Sequence, residues 1–153
     1  MYEPIRGKSV HSTMAGTTSD FPHRSREEEL DIQLAGHLAA LLTVTDELRA
    51  LAPEAGLDAA AERLAAQVTR LRGGRAPVRA SVAAVTDPGP LHRRAHALAG
   101  RALVVAASRA DTAAAILAAE RMDAHAAAQA AAPGEPPRRE PRGNSQELSG
   151  AAQ

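Results

Sequence analysis

Apolar positions recur at helical spacing in three stretches of the chain. The first runs through Leu30, Leu34, Leu41, Val44, Leu48 and Leu51, with His37 filling a gap in the stripe. Steps of four and three turn one face inward with a near-heptad, coiled-coil-like period. Ser25 followed by Glu28 fits a capping box, and Glu27, Glu28 and Glu29 complement the positive end of a helix starting there. Pro53 closes that helix. The second stretch is Leu57, Ala61, Leu64, Val68 and Leu71. Only Pro53-Glu54-Ala55-Gly56 separates it from the first, so it returns antiparallel. Gly73-Gly74 then supplies a left-handed C-terminal cap.

The third stretch, Leu91 to Ala132, is dominated by alanine, with no proline and a single glycine, Gly100. Alanine loses no side-chain entropy and has the best helix propensity. Its stripe is Leu91, Ala95, Leu98, Ala102 and Val105, drifting to Ile116 and Leu117. Asp87 is placed as N-cap and Pro88 as first helical residue. Ser108-x-x-Asp111 offers a second capping signal, so a break near Ser108 is an alternative to one continuous helix. Unbroken, the tract spans roughly 60 Å. Arg75 to Pro90 is irregular, and its pattern fits a helical turn or an extended crossover equally.

These readings define an all-α protein. An antiparallel hairpin, about Arg26 to Arg72, packs on one long Ala-rich helix, about Pro88 to Ala132. The result is a three-helix bundle, or four if the third helix breaks near Ser108. Leu34, Leu41, Leu48, Leu64 and Leu98 are the expected core. Residues 1–25 read as a disordered arm and 133–153 as a disordered Pro/Arg-rich tail, because both are polar and aperiodic. Met14 is a second candidate start.

Composition narrows the function classes. The aromatic fraction is 1%, from Tyr2 and Phe21 alone. The core is therefore aliphatic, and no aromatic platform exists for stacking bases. Lysine and arginine match aspartate and glutamate at 18 each, so the net charge is zero and no global field draws the chain to a polyanion. The absence of cysteine removes disulfides, thiolate metal sites and a cysteine nucleophile. No apolar run follows Met1, and Ala102 to Ala107 is far too short to cross a bilayer. A cytoplasmic protein without membrane contact is expected.

Two local patterns bear on chemistry. His92 and His96 share a helix face and are a weak metal-chelating pair. Arg93 sits where a zincin would carry glutamate, and no third ligand is evident, so no metal or other cofactor is expected. Arg93, Arg94 and Arg101 lie near a helix N-terminus, where free N–H groups favour anions. Together with Arg70, Arg72, Arg75 and Arg79 they form the one strongly basic stretch, countered only by Asp87. His125 falls on the alanine-rich end and is expected to be exposed.

No catalytic constellation emerges, and the motifs point to no particular family. The expected role is non-catalytic: a small helical adaptor or regulatory protein acting through contact with a protein partner or a second copy. Its expected interaction surface is the Ala-rich face carrying Ile116, Leu117 and Met122, because the third helix is longer than the hairpin can cover. The competing reading is a nucleotide- or nucleic-acid-binding regulator that uses the Arg70–Arg101 cluster.

Overall fold

The computed structural model describes residues 24–134 and contains four α-helices. They are α1 (Arg26–Leu51), α2 (Ala55–Leu71), α3 (Pro88–Arg109) and α4 (Thr112–Ala131). The described residues include no strand, and no helix is long and apolar enough to cross a membrane. The expected tails lie almost wholly outside the described residues.

Local chemistry sets most helix ends. Ser25 Oγ accepts from the Glu28 N–H at 3.1 Å, and Glu28 Oε2 accepts from the Ser25 N–H at 3.1 Å. The expected capping box is complete. Past α2, Gly73 and Gly74 take positive φ values of 65° and 96°. The Gly74 N–H reaches back to the Thr69 carbonyl at 2.8 Å, and the Gly73 N–H to the Arg70 carbonyl at 3.3 Å. This pair of bonds is a Schellman motif. Asp87 caps α3 by accepting from the Gly89 N–H at 2.9 Å.

The continuous third helix is corrected to two helices. The break falls at Ala110–Asp111, beside the position where sequence offered it. Ala110 adopts a left-handed conformation with φ 55°, and the Asp111 N–H bonds the Ala106 carbonyl at 2.9 Å. Asp111, not Ser108, caps the new helix, accepting from the Ala114 N–H at 3.1 Å. Ser108 remains inside α3, its hydroxyl donating to the Val104 carbonyl at 2.9 Å. The chain then folds back, and α3 with α4 makes the most extensive helix pair. Ala95, Ala99, Ala102 and Ala106 of α3 and Ala114 and Ala118 of α4 are buried. Such small side chains let two helices approach closely.

The helices form a ring in which α1 packs on α2 and α3, and α3 packs on α4. α4 meets α2 only lightly. That last seam carries two ion pairs, Arg63–Glu120 and Arg70–Asp111, each at 2.6 Å. α1 and α3 each have two close neighbours. Leu34, Leu41, Val44 and Leu48 are buried as the stripe requires, but Leu38, Leu42 and Thr45 are buried too. A helix with two neighbours needs a second apolar face.

The connector from α2 to α3 is irregular, neither helix nor strand, and bends at Val82, Ala84 and Thr86. It is tied to the bundle by one anchor. Arg79 donates from Nε and Nη2 to Asp46 at 2.8 and 2.7 Å, and the Ala80 N–H donates to the same carboxylate at 3.2 Å. Arg49 adds a further donor at 3.1 Å.

Candidate functional site

The polar end of the bundle gathers where α1 hands over to α2, α3 begins and α4 ends. On α3 the i to i+4 spacing puts His92 and His96 on one face. His92 Nδ1 meets His125 Nδ1 of α4 at 3.0 Å, with ring centroids 5.3 Å apart. His125 is 1% exposed, which corrects its expected place at the surface. The α3–α4 turn causes this. It folds the alanine-rich end back onto α3, and His125 becomes the large side chain filling that seam.

One turn before His125, Arg121 Nη2 lies 3.5 Å from His125 Nε2. A guanidinium has only N–H groups to present, so it suits a lone pair on His125 Nε2. In the His92–His125 pair one Nδ1 donates and the other accepts.

Burial lowers the His125 pKa to about 4, with the charges of Arg121, His92 and His96 adding to the effect. Burial also lowers that of His92; Glu54 opposes the shift and Arg121 adds to it. Both imidazoles are therefore neutral near pH 7. Burial lowers the Arg121 pKa, as does the nearby Arg63, while Glu120 and Glu54 act the other way. Arg121 Nε is buried and has no hydrogen-bond partner among the described residues. A buried, unpaired charged donor is rare in a folded protein.

Beside this cluster is a cavity of about 390 Å³, lined by Glu54, Gly56 and Leu57 from the α1–α2 junction, His92 from α3, and Arg121, His125 and alanines from α4. A second, more open hollow of about 750 Å³ shares His92 and adds Arg93 and Gln129. The described residues contain no group of three or more His, Asp or Glu arranged to hold a metal ion.

The residues singled out from the sequence are dispersed. Of the expected interaction surface, Ile116 is exposed, Leu117 is 2% exposed within the core, and Met122 packs beside Gly100 of α3. The continuous Ala-rich surface is thereby corrected: α4 uses its stripe against α3. The basic cluster is dispersed as well. Arg70 is engaged by Asp111 and Arg79 by Asp46. Arg93, Arg94 and Arg101 are exposed, with Arg93 at the hollow beside His92 and Arg101 beside His37 in a shallow groove. Sequence reasoning missed Arg121, His125 and Asp46. Only His125 carried a local signal, flanked by alanine on both sides; Asp46 and Arg121 sit beside other charged residues, Glu47 and Glu120, and nothing local sets them apart.

The fold and these sites define a small α-helical bundle with a half-buried Arg–His–His cluster centred on the buried His125. Comparison with family models, curated proteins and solved structures finds no match to this chain.

Proposed function

We propose that this protein is a non-catalytic helical adaptor of the cytoplasm, acting by contact with a protein partner through its α2–α3 connector. The observation that carries this reading is the state of the connector valines. Val78, Val82 and Val85 are 87%, 75% and 42% exposed on irregular backbone that bends at Val82. Of the N–H groups of residues 75–86, only that of Ala80 finds an acceptor among the described residues. Branched apolar side chains and free backbone groups on one non-helical segment are what an open sheet edge draws out in strand addition. The Asp46–Arg79 anchor holds the segment against the bundle, which lowers the entropy lost on docking. The partner is accordingly a protein with an open sheet edge.

Affinity capture from nuclease-treated extract tests this, comparing the native chain with Val78→Ser/Val82→Ser/Val85→Ser. The connector is outside the core, so the variant should keep its helical signal and melting temperature. A stoichiometric protein held by the native chain and lost by the variant supports the reading. Equal recovery by both chains overturns it. Recovery that collapses with nuclease transfers the role to the exposed Arg93, Arg94 and Arg101.

A further inference from the structure

We propose that the cavity between the α1–α2 junction and the Arg121–His125 turn of α4 binds a small oxyanion, the carboxylate or phosphate group of a low-molecular-weight ligand. Three independent observations converge on it. First, a donor there lacks a partner: Arg121 Nε is buried without an acceptor among the described residues, and the one carboxylate lining the cavity, Glu54, does not bond it. Gly56 adds the first turn of α2, which lacks a side-chain cap. Second, Arg121 has no carboxylate within ion-pair distance. Its neighbours Arg63 and Glu120 pair with each other at 2.6 Å, and Glu54 acts on it only at longer range. An anion would complete the charge pairing that the chain itself leaves open.

Third, the space is real. The cavity, about 390 Å³, falls in the size range of small-molecule sites. Alanines on α4 create it, since larger side chains at Ala124, Ala127 or Ala128 would fill it. The guanidinium, the one cationic group lining the cavity, sets the preference for an anion. The same guanidinium repels a metal cation from the paired histidines. This site is separate from the connector, and its test does not depend on the adaptor reading.

The test is a titration of the full chain at pH 7 and constant ionic strength, read from the imidazole signals in a ¹H–¹⁵N spectrum. Inorganic phosphate and acetate are added in separate arms, and zinc chloride in a third. Saturable movement of the His92 and His125 signals by phosphate or acetate is expected, and the arm saturating first identifies the preferred group. Arg121→Gln, which removes the charge, should weaken binding about tenfold or more. Ala128→Leu, which fills the cavity and keeps every polar group, should abolish it while the chain remains helical. Absence of a saturable shift overturns the proposal. So does an equal shift in native chain and Ala128→Leu, or saturation by zinc alone.

Discussion

Arg79 grips both carboxylate oxygens of Asp46 from 33 residues away in sequence, at 2.8 and 2.7 Å. The Asp46 side chain is only 1% exposed and accepts further bonds from the Ala80 N–H and from Arg49. Burial alone would raise its pKa. The bonds from Arg79, the Ala80 N–H and Arg49 outweigh burial and hold it below the ordinary carboxylate value. This one carboxylate determines where the connector lies.

Asp46→Asn should therefore act on both stability and connector mobility. It removes the charge and converts one acceptor oxygen to a donor facing Arg79. Because Arg79 and Arg49 stay partly solvated, the loss is that of charge-assisted hydrogen bonds, about 1 to 3 kcal/mol. Denaturant unfolding should report that loss. Limited proteolysis should cleave between Gly74 and Asp87 much faster than in the native chain. An unchanged cleavage rate would mean that the connector is held by other contacts.

His125 makes stability depend on pH in a defined window. Its folded pKa is about 4 against an ordinary 6.5, mainly because burial disfavours the charged ring, with Arg121, His92 and His96 acting in the same direction. Above pH 6.5 the ring is neutral in folded and unfolded chains, and stability is flat. As pH falls from 6.5 towards 4, the unfolded chain takes up a proton that the folded chain refuses. Stability should drop by roughly 3 kcal/mol across that window. His125→Gln should remove this slope, leaving what His92 supplies. Asp46 and Asp111, whose pKa values are lowered, add a further loss only below the ordinary carboxylate range. Thermal melts at pH 7, 6, 5 and 4.5 for the two chains measure the difference.

Ala110 bears the backbone strain of the α3–α4 turn. Its φ of 55° is left-handed, where a Cβ costs about 1 kcal/mol relative to glycine. Ala110→Gly should stabilise the protein by up to about 1 kcal/mol, offset in part by the greater freedom of glycine in the unfolded chain. Ala110→Val should destabilise by more than that. Paired melting curves check both signs.

Two adjacent residues separate core from surface on α4. Leu117→Ala should cost about 2 to 4 kcal/mol, because the side chain is buried against α3 and its loss leaves a cavity. Ile116→Ser, one residue earlier and 53% exposed, should fall within about 0.5 kcal/mol of the native chain. Similar losses for both would mean that α4 is rotated from the position described.

The sequence by itself determined the helices and most of their ends. Stripe spacing, the Ser25–Glu28 box, Pro53, Gly73-Gly74 and Asp87-Pro88 are interactions among residues a few positions apart, so their physics is local and legible. The hairpin of α1 and α2 follows from a short linker and matching stripes. The capping signal ending at Asp111 left a break near Ser108 as an alternative, and tertiary structure decided between that and a continuous helix, placing the break at Ala110. No glycine or proline marks it, and alanine favours helix on both sides. Burying the alanine stripe of α4 against α3 outweighs the strain of one left-handed residue and the loss of helical continuity. The same long-range packing chose Leu38, Leu42 and Thr45 for a second face of α1. It moved Leu117 from an expected surface into the core and brought Asp46 to Arg79. His92 gained its partner in the same way, because His125 lies 33 positions further along and only the turn between α3 and α4 brings the two rings together.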